Sequence, residues 1–542
     1  MTASAPQLIG MLIACGAAAV ALCARDPRLR YGAAIVALIA APALVAGDVW
    51  NSSRAIQLRH EPAKLAVGLA LVVAAVAVAA AVFRRFPWTF PVSLFAVLPL
   101  RVPVRLGGET SHLLIPLYLV IAAGVVCFGY AALTAARSGN GEHWRSDGHP
   151  ATRLGDWPAA TWLYRALAAT LLLYAIQTAY STDVSNAIEN GSFFLVPFAV
   201  MFVLLGEVRW TERLLGGVLI AVTAMGLVFA GVAFWEYAAR DLLLSRGDLL
   251  QSNQLHLYFR VNSLFYDPNV LGRYLALVLV ALGAYLAWSR GVREQIVVAV
   301  VCAVLLAALA LSYSLTSFLA LIAGLVVVLA LRWSVRWAAA AVAVLVVSAG
   351  IFVAAGGAAH NQSGSAESFN RFSSGRVDLV KGGIKLAGKR PVAGWGSGSF
   401  GAAFCKEIKC ATTVVSHSEP ITVGAEQGAI GFVVYLAVVV LGLVVVLAGG
   451  GASAATAAVA GCFVAMLAHS LGYAGFAIDP ATWALLGLGV ALRRPRLGEA
   501  YGAAIPGEEG PATPAPPRAT PAPATRRLWS SAASRRPSPR LG

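Results

Sequence analysis

The sequence predicts an all-α polytopic membrane protein with about 12–15 transmembrane helices, because of its composition and its long apolar runs. Of the 542 residues, 59% are hydrophobic and only 12% are charged, and the mean hydropathy is +0.75. A soluble chain of this length needs far more charged surface. The apolar runs approach the roughly 20 residues that an α-helix needs to cross a bilayer. Because lipid offers the backbone no hydrogen-bond partners, such runs are helical.

The apolar segments differ in length and quality. Two of them, at 88–100 and 480–492, are short enough to be broken or re-entrant spans. The others are longer runs, at residues 7–24, 32–47, 64–83, 111–135, 159–180, 192–206, 214–236, 269–289, 295–313, 316–331, 337–357, 428–448 and 454–475.

The orientation follows from the basic residues that flank these segments. None precedes the first segment, whereas Arg25, Arg28 and Arg30 follow it, so we expect an uncleaved span with its N-terminus outside. The loop at 48–64 is an exception, because it is basic and falls outside. The other short basic loops agree with one another on the cytoplasmic side; they carry Arg84, Arg85, Arg137, Arg145, Arg153, Arg209, Arg213, Arg290, Arg293, Arg332 and Arg336.

Residues 1–492 are predicted to form one transmembrane domain, and residues 493–542 a disordered cytoplasmic tail. The tail is rich in proline and arginine, a composition that cannot bury a core. A formal charge of +16 and a pI of about 9.8 could indicate a nucleic-acid partner. Arginines in short cytoplasmic loops account for most of that charge. We therefore expect membrane lipid as a partner and no nucleic acid.

Two long loops, at about 237–268 and 358–427, are predicted to lie outside the membrane. The second loop carries more lysine and arginine than acidic residues. Topology does not explain positive charge on the outer side, so this charge suggests a function. The loop also contains Cys405 and Cys410, and the sequence leaves open whether they form a disulfide or remain free thiols.

Within the second loop, residues 376–390 (RVDLVKGGIKLAGKR) are predicted to form an amphipathic helix in the headgroup plane, ended by Pro391. One stripe is apolar and the opposite stripe is cationic. Two interpretations remain open: a helix that takes part in a functional site, and a surface helix that binds only anionic lipid. The glycine-rich turn at 394–401 is a weak dinucleotide motif, because no strand precedes it. The apolar stripe consists of Val377, Val380, Ile384 and Ala387, and the cationic stripe of Lys381, Lys385 and Lys389.

His417 precedes a predicted helix start at the outer membrane boundary. Ser418 is suited to cap that helix and Pro420 to its first turn, and the helix is expected to continue through Glu426 into the span at 428. A histidine at such a position can be structural or catalytic, and the pattern alone leaves both open. His469, inside a span, is expected to be a hydrogen-bonded core residue.

The first long loop ends in FRVNSLFYDPNVLGRYLALV. Asp267 and Pro268 are the residue types of a helix start. Arg260 lies on the outer side close to the bilayer, where a guanidinium needs a partner such as phosphate. Arg273 lies one turn inside the next span, so it either extends to the outer surface or contacts a phosphate.

Three segments in this order resemble the O-antigen ligase/O-antigen polymerase family of GT-C-like membrane glycosyltransferases. They are RVNSLFYDPN at 260–269, SSGR…PVAGWGSGSF at 373–400 and HSEPITVGAEQGAIG at 417–431. The resemblance covers about residues 180–490, including DPATW at 479–483. Members of the family are polytopic, with a large extracytoplasmic loop between late spans. The chain departs from the family at Ser418, where asparagine is common.

The resemblance implies an enzyme that moves an oligosaccharide or polysaccharide from an undecaprenyl-diphosphate carrier to an acceptor hydroxyl. The acceptor is a glycan or a lipid-linked glycan, and transfer takes place outside the cytoplasmic membrane, with inversion and without a metal or other cofactor. The sequence contains no D-x-D metal motif. The resemblance also implies site residues: His417 as the general base, and Arg260 and Arg376 on the diphosphate. From its position one turn inside the span we add Arg273 as a further substrate contact, and we expect Asp267, Asn269 and Glu426 to be structural residues near the site.

Other classes of protein remain open. A transporter or lipid flippase usually carries ionisable residues near the middle of the membrane, whereas the predicted spans are nearly bare apart from Arg165, Arg273 and His469. A scaffold or receptor would leave the basic outer loops unexplained. Within the enzyme interpretation the residues separate polymerase from ligase only weakly, with a slight preference for polymerase.

Overall fold

The computed structural model describes residues 3–137, 157–244, 249–334, 376–409 and 416–493, with short gaps within 51–58, at 107–108, within 251–258 and at 450. Residues 1–494 form one compact unit. The predicted span at 337–357 and the predicted tail from 494 onward lie outside the described residues, so both stay predictions.

The prediction of an all-α polytopic membrane protein is confirmed. The described chain contains eleven helices that are long and apolar enough to cross a membrane and two shorter apolar helices. The helices are α1 (Ala5–Cys23), α2 (Pro27–Asp48), α3 (Pro62–Arg85), α4 (Thr89–Val97), α5 (Ile115–Arg137), α6 (Pro158–Gln177), α7 (Val184–Glu207), α8 (Glu212–Ala239), α9 (Pro268–Trp288), α10 (Val292–Leu311), α11 (Leu315–Arg332), α12 (Arg376–Lys389), α13 (Phe400–Phe404), α14 (Glu419–Leu447), α15 (Ala454–Ser470) and α16 (Pro480–Leu492).

The short segment predicted at 88–100 contains one short, continuous helix, α4, of nine residues. An antiparallel hairpin of β1 (Val102–Leu106) and β2 (Glu109–Leu113) follows it, and whether the segment is re-entrant stays a prediction. Alternating Val102, Val104 and Leu106 match the two-residue period of a strand, which explains why the apolar run does not continue as a helix. The other short segment, at 480–492, is one uninterrupted helix, α16.

The arginine-rich helix ends lie on one face of the bundle. Arg30, at the start of α2, donates from Nη1 to Oε1 of Glu207 at the end of α7 over 2.6 Å. Arg332, at the end of α11, donates from Nε to the carbonyl oxygen of Ala287 near the end of α9 over 2.8 Å. These contacts join ends that the arginine distribution assigns to the same side. We call this side the arginine-rich face.

The opposite helix ends form a second face. Near the N-terminus, Gln7 of α1 donates to Asp48 at the end of α2 over 2.7 Å. Elsewhere on this face lie the starts of α9, α14 and α16 and the loop at 471–479 between α15 and α16. We call it the site face, because these segments carry the polar side chains described below.

Two apolar cores hold the helices together. One core joins α1, α2, α5, α6 and α7 with α14 and α16, and the other joins α8 to α11 with α15. A third, small cluster lies within the loop that contains α12 and α13; it is built from Leu386, Trp395, Phe400, Ala403, Phe404 and Ala425. The site face therefore rests on two rigid cores and carries its own small core.

Candidate active site

Tyr473, in the loop at 471–479, is the centre of the candidate site. Its hydroxyl donates to Oδ2 of Asp267 over 2.8 Å. Its ring centroid lies 6.2 Å from that of His417 and 5.6 Å from that of His469, and the guanidinium carbon of Arg273 lies 5.8 Å from the ring centroid. Burial and the neighbouring Asp267 carboxylate raise the pKa of Tyr473 well above its ordinary value. The hydroxyl therefore stays protonated and serves as a donor.

Asp267 caps the N-terminus of α9. Its Oδ1 accepts from the backbone N–H of Asn269 over 2.7 Å and from the Asn269 amide Nδ2 over 2.9 Å. An aspartate at this position satisfies backbone N–H groups that have no partner within the helix. Because Oδ2 remains for Tyr473, one carboxylate both starts the helix and fixes the tyrosine.

Arg273 forms an ion pair through Nη2 with Oδ2 of Asp479, and both side chains are buried. Asp479 also caps α16, since its Oδ1 accepts from the backbone N–H of Ala481 over 2.8 Å. The side chain of Arg273 is directed into the protein, so the alternative that it extends to the surface is not what the structure shows. The pair joins the second turn of α9 to the N-cap of α16.

His417 lies in a turn of strained backbone. Its φ of 54° is in the left-handed region, which costs a non-glycine residue free energy. The flanking serines close this turn, because the Ser416 hydroxyl donates to the carbonyl oxygen of Ser418 over 2.9 Å and accepts from the Ser418 N–H over 3.1 Å. Ser418 is the N-cap residue of α14, as predicted, although its side chain makes no capping hydrogen bond. The turn holds the half-buried imidazole beside Tyr473.

The other strained residues of the described chain lie in loops of the same face. Left-handed backbone that persists away from glycine needs surrounding structure to hold it, and such residues concentrate at functional sites. They follow α8, precede α9 and connect α10 to α11. These three residues are Arg240, Ser263 and Tyr313; with His417 they are the non-glycine residues with positive φ in the described chain.

Three buried glutamates accept backbone N–H groups from these irregular segments. Glu236 accepts from Leu243, Asn262 and Ser263 over 3.1, 3.0 and 2.7 Å. Glu419 accepts from Gly475 over 2.6 Å and from Ala477 over 3.2 Å, which fixes the loop that carries Tyr473. Each carboxylate supplies acceptors that a loop otherwise lacks, and so holds that loop in one conformation.

Glu426 is the third of these glutamates, and it holds the glycine-rich turn. Its carboxylate accepts from the backbone N–H groups of Gly398 and Phe400, each over 2.9 Å. The turn is buried, and the hydroxyl of Ser181 donates to the carbonyl oxygen of Ser397 over 2.8 Å. The turn therefore packs into the membrane domain, and these two N–H groups are bound by Glu426 itself.

Helix α14 is broken where the glycine-rich turn meets it. Gly428 has φ 63° and ψ −163°, and the freed N–H of Ala429 donates to the carbonyl oxygen of Pro391 over 2.7 Å. A Cβ on Gly428 would lie 2.4 Å from the carbonyl oxygen of Val392, and one on Gly394 would lie 2.3 Å from that of Glu426. Both positions therefore require glycine. The predicted continuous helix from Glu419 is thus one element with a break inside it.

Of the two predicted diphosphate ligands, the structure describes the side chain of Arg260 but not that of Arg376. Arg260 donates from Nε to the carbonyl oxygen of Ser312 over 3.2 Å, and its backbone N–H is bound by Asn253. Arg376 is the first residue of α12, and its side chain lies outside the described residues. Asp267, Asn269, Arg273 and His417 come together around Tyr473, whereas Arg260 is connected to them through the turn after α10.

Helix α12 has three faces rather than the two predicted. The predicted lysine stripe is exposed, and Ile384 of the predicted apolar stripe is 61% exposed. A separate face is buried against the small core; it contains Leu379, Gly382, Gly383 and Leu386. The hydrophobic periodicity does not indicate this third face, because two of its four members are glycines. The exposed Ile384 and the lysines remain consistent with a helix at a lipid surface.

The segment after α13 carries further contacts. The sequence left open whether Cys405 and Cys410 form a disulfide or remain free thiols. Cys405 is disulfide-bonded, and Cys410 lies outside the described residues. Lys389 contacts Glu407 over 2.5 Å, and this lysine lowers the pKa of the Glu407 carboxyl. Within the described residues no group of three or more histidine, cysteine, aspartate or glutamate side chains could hold a metal ion.

Tyr473, Glu236 and Glu419 belong to this arrangement, and none of them is predicted from the sequence. Each is a single polar residue at or near a helix end, where polar residues are common, so none produces a spacing signal. The Tyr473–Asp267 hydrogen bond joins positions 206 residues apart. The motif DPATW, together with Glu419 inside the third resembling segment, was the available indication that the last loops belong to the site.

These features define a multi-pass membrane protein with a polar, partly buried site at one face of its helix bundle. Residues 298–436 match the family model described as O-antigen ligase. This match confirms the resemblance to the O-antigen ligase family and indicates a membrane protein that transfers glycans. The matched range includes Arg376, His417 and Glu426, whereas Arg260, Arg273 and Tyr473 lie outside it. The chain matches none of the curated proteins with which it was compared.

Proposed function

We propose that the chain is a metal-independent, inverting glycan transferase of surface-polysaccharide biosynthesis. It moves an oligosaccharide or polysaccharide from an undecaprenyl-diphosphate carrier to an acceptor hydroxyl on the extracytoplasmic face. The observation that carries this proposal is His417, held in a strained turn beside Tyr473 and inside the stretch that matches O-antigen ligases. Glycan transfer to a hydroxyl needs a base at this kind of place, at the membrane boundary and open to a substrate.

His417 acts as the general base in this proposal. A sugar hydroxyl is a poor nucleophile, and a neutral imidazole, with an ordinary pKa of about 6.5, can accept its proton as the new bond forms. The acceptor oxygen bonds to the anomeric carbon while the bond from that carbon to the diphosphate oxygen breaks. The bonding electrons leave with undecaprenyl diphosphate, and the proton remains on His417 until solvent removes it. A single displacement of this kind inverts the anomeric configuration.

Arginines stabilise the charge that develops on the departing diphosphate. A guanidinium offers two parallel N–H donors to phosphate oxygens and stays charged at any physiological pH. Arg260 and Arg376 are the proposed direct ligands. Arg273 is already paired with Asp479, so its proposed contribution is to hold the first residues of α16 near the start of α9, with any charge it offers to the substrate shared with that carboxylate. Fixed cations can provide the charge stabilisation for which other enzymes use a divalent metal.

Two observations support an extracytoplasmic site. The opposite face is rich in arginine, as cytoplasmic loops of membrane proteins are, and contacts such as Arg30–Glu207 and Arg332–Ala287 join its helix ends. Cys405, in the loop that carries the site, is disulfide-bonded, and structural disulfides persist mainly in oxidising compartments. Both observations favour the site face as the outer one.

The proposal is tested with purified protein in detergent or nanodiscs, supplied with undecaprenyl-diphosphate oligosaccharide and, separately, with candidate acceptors. A ladder of lengthened lipid-linked glycans indicates polymerisation, and one shifted acceptor band indicates ligation; both support the proposal. Activity should survive EDTA. Transport of the intact donor across vesicles without any new glycosidic bond would overturn the proposal in favour of a flippase.

A further inference from the structure

A chain of buried side-chain hydrogen bonds runs beneath the candidate site. The Ser314 hydroxyl donates to Oδ1 of Asn269 over 2.8 Å and lies 2.8 Å from the Ser317 hydroxyl. Ser317 in turn lies 3.3 Å from Nε2 of His469. At the other end, Nδ2 of Asn269 donates to Asp267 over 2.9 Å. The chain therefore connects α15, α11 and the start of α9.

The direction of each hydrogen bond in this chain follows from the donors available. Ser314 uses its one hydroxyl proton on Asn269, so Ser317 must donate to Ser314. Ser317 is then left as an acceptor, and His469 must donate to it from a protonated Nε2. Ser317 has the Asn269 carbonyl oxygen as a second acceptor at 3.4 Å, and with either acceptor its oxygen is left to accept from His469. With this assignment the donors point from His469 towards Asp267, and the imidazole carries its proton on Nε2.

The members of this chain are almost inaccessible to solvent. His469 and Ser317 are 0% exposed, Ser314 is 1% exposed and Asn269 is 8% exposed. Buried polar groups are costly when they lack partners, and a satisfied network fixes the groups it connects in one arrangement. The chain is therefore a rigid connection rather than a solvated polar patch.

Tyr473 lies near both ends of this hydrogen-bond network. Its ring centroid is 5.6 Å from that of His469 and 6.2 Å from that of His417, and its hydroxyl donates to Asp267. The turn after α10 belongs to the same structure, because the carbonyl oxygen of Ser312 accepts from Arg260 while Ser314 binds Asn269. One buried framework therefore supports both the proposed base and one proposed diphosphate ligand.

We propose that His469 is a positioning residue of the transfer reaction. Through Ser317 and the ring of Tyr473 it sets the wall against which the His417 imidazole rests, without touching substrate. This inference rests on the proposed function. It goes beyond a role for His469 in the core, because it predicts an effect on turnover that a loss of stability alone does not produce.

The test compares three variants of full-length protein in the donor assay. His469→Leu removes the donor to Ser317, and we expect kcat to fall between about 10- and 100-fold, with the KM for donor within about twofold of wild type, since a displaced catalytic group slows chemistry more than binding. His469→Gln retains an N–H donor and should recover most of the lost activity. Cys462→Ala is the matched control, because Cys462 is buried in the same helix and bonds to the Leu277 carbonyl oxygen of α9; its kcat should be unchanged.

A double-mutant cycle separates positioning from general destabilisation. Ser317→Ala breaks the same chain, so adding His469→Leu to it should cause little further loss. Independent, additive losses, or a Gln variant no better than the Leu variant, would overturn the positioning role. Wild-type protein without transferase activity would instead refute the proposed function. Active wild type together with a His469→Leu variant that matches the Cys462→Ala control would refute only this inference.

Discussion

The two faces of the helix bundle each contain a buried arginine–carboxylate ion pair, and the two pairs have different surroundings. On the arginine-rich face, Arg30 contacts Glu207 over 2.6 Å and also donates twice to the carbonyl oxygen of Ala24, which follows α1. On the site face, Arg273 pairs with Asp479 beside Tyr473. The first pair joins and caps helices, and the second pair forms part of a larger polar framework.

The comparison shows that a buried ion pair does not by itself identify a functional site. The site face differs because its ion pair shares that face with strained backbone and with loops held by glutamates. The strained residues are His417, Ser263 and Tyr313. Backbone strain costs stability, and satisfied buried polar networks fix the groups they connect, so their concentration on one face indicates a functional arrangement. Substitutions in the framework around Tyr473 should therefore impair chemistry, and those at the Arg30–Glu207 pair should impair stability.

The largest effect on activity is expected from His417. His417→Ala should lower kcat by about 10²- to 10⁴-fold, the usual contribution of a general base, without a large change in melting temperature. His417→Asn is the sharper variant, because asparagine tolerates the left-handed backbone of this position and removes only the imidazole. Near-wild-type turnover of the asparagine variant, measured in the donor assay, would remove the base assignment.

Replacing the proposed diphosphate ligands should have the next largest effect. Arg376→Lys and Arg260→Lys keep the charge and lose the planar fork, so we expect weaker donor binding and slower transfer, by about 10-fold or more. Binding of a non-hydrolysable lipid-diphosphate analogue and the transfer rate are measured in parallel. If the lysine variants bind the analogue as wild type does, the clamp role is wrong.

A matched pair of substitutions tests whether the ion pairs on the two faces have different roles. Asp479→Asn and Glu207→Gln each remove one charge and keep the shape of the side chain, and asparagine can still cap α16. Unfolding measurements should show that Glu207→Gln costs several kcal/mol, about 3–5 for breaking a buried pair, with unchanged kcat per folded molecule. Asp479→Asn should also lower kcat. Equal kcat for the two variants would contradict the distinction between the faces.

The smallest effect is expected at Glu407. Lys389 lowers the pKa of this partly exposed carboxyl, so the pair stabilises the fold at pH values above the ordinary carboxyl pKa. That stabilisation is lost as the pH falls through the lowered folded-state pKa. Exposed pairs contribute little, and Glu407→Gln should leave both activity and melting temperature close to wild type at neutral pH. A marked loss of activity would show that this pair belongs to the site.

The membrane architecture could be predicted from the sequence because each span is a long local run. The predicted segments at 214–236 and 269–289, for example, correspond to α8 and α9 within a few residues. The break at Gly428 could not be predicted, since it depends on the hydrogen bond from the Ala429 N–H to the carbonyl oxygen of Pro391, 38 residues before Ala429.

The candidate site could be predicted in part. Asp267 and His417 stand in motifs with recognisable order, so the sequence identifies them. Tyr473 and His469 enter the site only through contacts across the bundle, such as the 152-residue separation between Ser317 and His469. The hydrophobic periodicity within a single helix carries no information about contacts between distant helices. The third face of α12 was missed for a different reason, because glycines make close packing possible without adding hydropathy.

The central claim is that the site face meets a lipid-linked donor outside the cytoplasmic membrane, and side-specific labelling tests it most directly. In a Cys23→Ser background, which removes an exposed native thiol, single cysteines replace Lys385 on the exposed stripe of α12 and Arg293 on the arginine-rich face. An impermeant maleimide applied to intact spheroplasts should label the cysteine at 385 at once, and the cysteine at 293 only after lysis. Labelling of position 293 from outside, with position 385 protected until lysis, would contradict the account.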